Sequence, residues 1–406
     1  MSGGKNKESV GIAMWTLSKR AMNITPSATM ALTAKVAELK QQGIEIIKFN
    51  VGEPDFDTPA YIREACKKAI DEGMTRYSAT PGVIELREAV CQKLARENHV
   101  QYSPAEVSFS AGAKNALFNT IMTIVDDGDE VILPTPCWVS YVDMVKLAGG
   151  VPVLVPCREE NGFDLDLDAL AQAVTPRTKA LLFNTPNNPT GAVYSEQTLR
   201  ALAEMALQHE FYLIADEVYE KLIYDGEKHF SIASISEDVR QITFTANALS
   251  KAFAMTGWRM GYLCAPAAFT DVMCKIHQYT ILCAPRQGQV AAEEALRQGR
   301  EDGYADVVSM RESYNQRRRL MVQSFRDMGL SCFEPLGAFY VFPGIQKTGL
   351  SSEDFCQRLL REKKVVTVPG TAFGASGEGY IRCSYATGIA KLTEALDRMA
   401  DFVASL

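Results

Sequence analysis

Between residues 107 and 285 the chain alternates short apolar runs with segments of helix length. The runs are VSFSAG (107–112), EVILPTP (130–136), VPVLVP (151–156), KALLFNTP (179–186), FYLIADE (211–217), QITFTAN (241–247) and GYLCAP (261–266). In EVILPTP, VPVLVP, KALLFNTP, FYLIADE and GYLCAP apolar residues follow one another, which reads as strands buried on both faces. That is the pattern of a largely parallel sheet covered by helices. One intervening segment shows the helical period: in SEQTLRALAEMALQHE, Ser195 can cap the start, and Leu199, Leu202, Ala203 and Ala206 fall on one face. The expectation is an open α/β architecture built on a mostly parallel seven-stranded sheet, with ligands at the carboxyl ends of its strands.

After about residue 290 the pattern changes. Charged helical stretches such as ESYNQRRRLMVQSFRDMG lead to short strands around GAFYVF, VVTVPG and YIRCSYA, and then to a final helix, KLTEALDRMADFVASL. This reads as a smaller α+β domain, joined by the helical ALTAKVAELKQQG near the N-terminus. The expected division is an N-terminal arm at 1–20, a small domain of 21–52 with 290–406, and a large domain at 53–289.

The totals narrow the functional classes. The chain has 406 residues, and 42 basic against 49 acidic side chains give a net charge of -7, so no electrostatic footprint for nucleic acid is expected. Ten cysteines without a CxxC pair fit buried thiols in a reducing compartment. The histidines His99, His209, His229 and His277 form no HExxH and no close pair, so no metal site is expected. The polar start, and the lack of any apolar run near the ~20 residues that span a bilayer, point to a cytoplasmic protein with no membrane partner.

The chain has no GxxxxGK[ST], no GxGxxG after a strand and no GxSxG, and the glycine-rich GASGEG (374–379) reads as a plain loop. What remains is a set of unlike residues at several strand ends. In SAGAKNALFN, the small residues Ala111, Gly112 and Ala113 lead into a helix whose first N–H groups could receive a phosphate, or could simply make a tight turn. Trp138 follows EVILPTP, either as packing or as a flat face for a planar ligand. FNTPNNPTG sets Asn188 before Pro189 at a strand end, where an amide could bond a ligand oxygen. FYLIADEVYE carries Asp216 and, three residues later, Tyr219. An acid there could hold magnesium, but the phosphate loop such a site needs is missing; it could also hold a cationic ring nitrogen. Finally, ALSKAFAMTGWRMGY sets Lys251 and Arg259 among apolar and small residues with no acid between them. A desolvated lysine near another cation favours the neutral amine that attacks carbonyls, and arginine offers a fork for phosphate oxygens.

Taken in order, NVGEPDFDTP, RYSATPGVIELREAV, SAGAKNALFN, PCWVSY, TPNNPTGAVY, ADEVYE, SKAFAMTGWRMGY, GAFY, VVTVPGTAFG and YIRCSYA resemble the class I, fold type I, pyridoxal phosphate-dependent aminotransferases over nearly the whole chain. PSAT and SKAFAMTGW look most like the bacterial aspartate aminotransferase subgroup. The resemblance implies a homodimer that transfers an amino group from an L-amino acid, aspartate foremost, to a 2-oxo acid such as 2-oxoglutarate by a ping-pong route. It implies that Lys251 forms an imine with pyridoxal phosphate and later carries the α-proton, and that Asp216 pairs with the pyridine nitrogen. Tyr219 and Asn188 would bond the phenolic oxygen, with Trp138 stacked on the ring. The phosphate would be held after Gly112 by the backbone of Ala113 and Lys114, by Arg259, and by Tyr77 of the second subunit. Arg382 would grip the substrate carboxylate beside the Gly52 backbone.

Two departures follow from the same comparison. Many relatives have a serine where this chain has Ala248, which leaves one phosphate bond missing or supplied by a neighbour such as Asn247. No arginine matches the one that binds a distal carboxylate in some relatives; Lys114, with Ser27 and Thr29 nearby, is the candidate, and Arg286 is a second. An aromatic or broad-range donor, or C–S bond cleavage by the same cofactor, is the alternative activity. A transcription regulator built on this domain would need an added basic DNA-binding part.

Overall fold

The computed structural model describes residues 17–24, 32, 36–39 and 41–406. A short strand, β1 (Ile47–Lys48), precedes β2 (Val107–Ala111), β3 (Glu130–Thr135), β4 (Val151–Pro156), β5 (Thr178–Asn184), β6 (Tyr212–Asp216), β7 (Thr243–Ala248) and β8 (Met260–Cys264). All but β1 belong to one seven-stranded sheet in the order β2-β8-β7-β6-β5-β3-β4. Each of the seven apolar runs has become one strand of it.

Alternate strand residues serve opposite cores, as the pleat requires. Leu182 and Ile214 face a cluster completed by Ile121, Tyr141, Val145 and Met273. Their neighbours Leu181, Phe183 and Leu213 face Leu199, Leu202 and Ala206 of the helix Glu196–His209. That helix begins as its sequence suggests, with the Ser195 side chain accepting from Thr198 N at 3.0 Å. Full burial of each such side chain contributes about 1.5–3 kcal/mol.

The neighbouring pairs among β3 to β7 are parallel, and β8 alone runs antiparallel, to β2 and to β7. Its beginning therefore lies at the edge where the other strands end. The register pairs Ala111 with Met260 and Ala248 with Gly261, so Gly112, Lys251 and Arg259 emerge side by side.

Beyond the main sheet, β9 (Tyr340–Val341), β11 (Val368–Pro369) and β12 (Ile381–Ser384) form an antiparallel sheet, and β10 (Val365–Val366) pairs in parallel with β1. The helices Ala305–Asp327, Ser352–Lys363 and Ile389–Ala404 cover these strands around Tyr314, Phe339, Phe355 and Phe402. The same cluster takes in Tyr219, Leu222 and Ala248 from the main sheet's end, so the two sheets meet where those strands finish. Among the described residues no helix is long and apolar enough to cross a membrane.

Candidate active site

Between the carboxyl ends of the main sheet and β12 lies a cavity of about 520 Å³, a size common for small-molecule sites. Lys251, Asp216, Tyr219, Asn188 and Trp138 line it from the strand ends. Ala113, Lys114 and Arg259 line its rim, and Gly52 and Arg382 close the far side.

Lys251 sits in one helical turn, Leu249–Ala252, directly after β7, and its Nζ donates to the Gly52 carbonyl. Burial pushes its amine down to about 8, aided by Arg382 and Arg259; Glu53 and Asp216 act the other way. The counter-charge absent from the lysine's own sequence stretch is therefore supplied in part by distant segments.

Asp216 ends β6 and is 4% exposed. Tyr141 Oη donates to its Oδ2 at 2.6 Å and Val218 N to its Oδ1 at 3.2 Å. Burial outweighs these bonds and holds the carboxyl up at about 6. The register aligns Asn184, the last residue of β5, with Asp216. Asn184 Nδ2 donates to the Asp216 carbonyl and its Oδ1 accepts from Asn188 N, both at 2.8 Å, so one amide fixes two strand-end residues.

Arg382 lies on β12, 3% exposed. It donates to Asn188 Oδ1 at 3.0 Å and to Asn50 O at 2.9 Å, and its guanidinium stacks 4.5 Å from the Tyr340 ring and 5.0 Å from that of Phe373. Tyr340 also meets Tyr219, hydroxyl to hydroxyl, at 3.0 Å. Lys114 Nζ is poised 4.7 Å from the Trp138 ring, its amine pushed down by partial burial and by Arg259.

Gly112 caps the helix Ala113–Ile124 at φ +84°, and the first helical bonds there begin at Asn115 and Ala116, leaving the N–H groups of Ala113 and Lys114 ahead of them. A Cβ on Gly112 would stand 2.4 Å from Arg259 Nη2, and one on Gly261 2.2 Å from Ala113 N. The glycines thus keep open a cradle of backbone N–H groups and one guanidinium, with Arg259 anchored to Thr256 O at 2.8 Å and Ala111 O at 3.0 Å.

This donor set fits pyridoxal phosphate. It offers an amine for a carbonyl carbon, a buried acid for a ring nitrogen, an aromatic face and an anion cradle. It also offers a second guanidinium whose buried Nε has no protein partner.

Several expectations fall elsewhere. Tyr77 is 84% exposed and outside this chain's cavity, and Arg286, at the start of the helix Arg286–Asp302, reaches Met74 Sδ at 3.9 Å instead of the cavity. Asn247, offered as a substitute for the missing serine, turns its Oδ1 to the N–H of Ala248 at 2.7 Å and does not line the cavity; Ser250 does. Ser27 and Thr29 lie outside the described residues. Glu217, Glu220 and His229 bring carboxylate and imidazole atoms within 4.8 Å, but Lys93 already supplies the cation that neutralises Glu220.

Tyr141, Asn184 and Tyr340 went unassigned in the sequence. Tyr141 lies one helical turn beyond Trp138 in the quoted PCWVSY, and Asn184 ends a strand beside Asp216. Strand order would have flagged the second.

A profile of the family described as "Aminotransferase class I and II" matches residues 44–399. An aromatic-amino-acid aminotransferase of Thermococcus litoralis is 47% identical over 88% of this chain and 92% of that protein. A probable aspartate/prephenate aminotransferase of Thermus aquaticus is 46% identical over 95% and 98%. The aspartate aminotransferase of Thermus thermophilus solved with maleate superposes with a TM-score of 0.92 at 43% identity, covering 96% of this chain and all of that one (100%).

Proposed function

The chain belongs to the class I and II aminotransferases, pyridoxal phosphate enzymes that pass an amino group from an amino acid to a 2-oxo acid, and within that family we propose aspartate as donor and 2-oxoglutarate as acceptor. The observation that carries this reading is the pair of cations lining one cavity, Arg382 in its depth and Lys114 at its rim. Two carboxylates of one substrate can be held by two such groups. The relative solved with maleate, itself a dicarboxylate, supports the same reading.

Bound pyridoxal phosphate supplies an electron sink beside the substrate α-carbon. The remaining roles belong to the chain. The Arg382 fork binds the α-carboxylate in two hydrogen bonds, and the stacked rings of Tyr340 and Phe373 fix its plane. Lys251 Nζ, made a weaker base by burial, takes the proton from the substrate α-carbon. Asp216 holds positive charge on the ring nitrogen, kept ionised by Tyr141. Asn188 accepts from Arg382 through Oδ1, which leaves its NH₂ to donate toward the ring oxygen along with Tyr219. Trp138 covers one ring face. The N–H groups of Ala113 and Lys114, the Arg259 guanidinium and the Ser250 hydroxyl bind the phosphate. Tyr77, too exposed to serve its own cavity, reaches the phosphate of a second subunit in a homodimer. The small domain of 21–52 and 290–406 carries Arg382 and Gly52, and the large domain of 53–289 carries the cofactor residues.

A second reading, an aromatic donor, is favoured by one further observation. A cavity of about 950 Å³ adjoins the first across Lys114, Val139 and Phe373, and Phe118, Val142 and Leu147 line it. The name of the Thermococcus litoralis relative agrees. A half-reaction panel separates the readings. Each amino acid is mixed with the cofactor-loaded chain without acceptor, and loss of the cofactor's visible absorbance is timed. Aspartate as the fastest donor supports the first reading; phenylalanine faster than aspartate overturns it. Release of pyruvate from cystathionine without an acceptor would mark C–S cleavage.

A further inference from the structure

Lys251 and Arg259 stand eight positions apart, joined by a loop with an uncommon backbone. After the turn Leu249–Ala252 the chain passes through Ala254 at φ +50°, a 3-10 turn at Thr256–Trp258, and Arg259 at φ +57°. Residues with a Cβ seldom occupy this left-handed region and stay there where surrounding structure over-determines it. The segment 52–58, about 200 positions earlier, supplies that constraint. Thr58 Oγ1 donates to Ala254 O at 2.7 Å and accepts from Trp258 Nε1 at 2.9 Å, and Thr256 Oγ1 donates to Glu53 Oε2 at 3.0 Å. Glu53 and its bond are exposed, so water can replace the carboxylate; Thr58 is 8% exposed, and its two bonds are part-buried, so water replaces them less readily.

We propose that Thr58 is a positioning residue whose single hydroxyl, bridging the Ala254 carbonyl and the Trp258 indole, sets the spacing between the Lys251 amine and the Arg259 guanidinium. The proposal rests on the reading that both cations hold pyridoxal phosphate. A hydroxyl is needed because one group must donate at one end of the loop and accept at the other, and threonine does both. The segment that carries Thr58 also carries Gly52, whose carbonyl accepts from Lys251 Nζ. One stretch of chain thus holds the amine directly and the loop beyond it through Thr58.

The test compares Thr58→Val, which keeps the shape and removes both bonds, with Thr58→Ser, which keeps the hydroxyl. Thr58→Val is expected to raise the pyridoxal phosphate dissociation constant about tenfold, and Thr58→Ser to stay within about threefold of wild type. Binding of pyridoxal, which has no phosphate for Arg259, is expected to change less than binding of pyridoxal phosphate. Cofactor-free Thr58→Val is expected to lose some thermal stability with its two bonds, so the deciding readout is the ratio of pyridoxal to pyridoxal phosphate binding, which a general loss would not move. Equal dissociation constants for wild type and Thr58→Val overturn the proposal, as does an equal loss in Val and Ser. If Thr58→Val does not fold, Trp258→Phe removes the indole donor alone: a weakening of about threefold or more supports the proposal, and less overturns it. A wild-type chain that gains no Lys251-dependent visible absorbance with pyridoxal phosphate overturns the site assignment and the proposal with it. Wild-type absorbance with an unaffected Thr58→Val removes Thr58's role alone.

Discussion

Tyr141 donates its phenol O–H to Asp216 Oδ2 across 2.6 Å at the buried end of β6. The bond lowers a carboxyl that burial has raised to about 6, so it keeps Asp216 ionised closer to neutrality. Tyr141→Phe is expected to move the carboxyl higher still. Because Asp216 works as the anion, the acid limb of the kcat/KM profile shifts to higher pH in the variant. The loss is expected to be larger on the acid side of the profile than at pH 8. A profile that drops evenly at all pH values would assign Tyr141 to packing.

Lys251 captures the cofactor as a neutral amine, and its pKa is lowered to about 8. The rate at which cofactor-free chain gains visible absorbance with pyridoxal phosphate is expected to rise with pH and level off above a midpoint near 8. Glu53 raises the lysine's pKa, so Glu53→Gln lowers the midpoint. Stopped-flow absorbance between pH 6 and 10, run on both chains, checks the direction.

The same carboxyl predicts how the cofactor-free fold responds to acid. Below pH about 4 folded and unfolded chains both hold the Asp216 proton. Between about 4 and 6 the unfolded chain has released it while the folded one has not. Stability contributed by this group is thus present at low pH and lost as pH rises through about 6, by about 3 kcal/mol for a rise from 3.8 to about 6. Asp216→Asn is expected to gain most over wild type, by thermal unfolding, at pH 7 and little at pH 4.

Asn184→Ala leaves the Asp216 carbonyl and the Asn188 N–H without their shared partner. A cost of about 1–3 kcal/mol is expected in denaturant unfolding. KM is expected to rise too, because Asn188 in turn orients Arg382.

Lys114→Ala separates the two donor readings. A lost charge pair with a distal carboxylate is expected to lower kcat/KM for aspartate about tenfold or more, with phenylalanine within about threefold of wild type. An unchanged preference would exclude Lys114 as the distal-carboxylate group.

The strands and their ends were legible because each is a local property: seven apolar runs became seven strands, and Ser195 capped the helix it precedes. The antiparallel course of β8 was not legible, since a buried strand reads alike in either direction. That course brings Arg259 to the edge where β2 and β7 end. Asn184, Tyr141 and Thr58 were missed for a related reason. Each makes a bond to a partner at least 32 positions away, and only strand order or loop contact brings the two together. Asn247 does not line the cavity, and its Oδ1 bonds the next backbone N–H, a local option the sequence does not reveal.

Lys251 is the amine placed to carry the cofactor. Borohydride reduction of the pyridoxal phosphate-loaded chain, followed by digestion and peptide mass spectrometry, tests it directly. The expected result is one labelled site, in the peptide that contains ALSKAFAM, at Lys251. A label on Lys114 or on another lysine, with Lys251 unmodified, would contradict the assignment of Lys251.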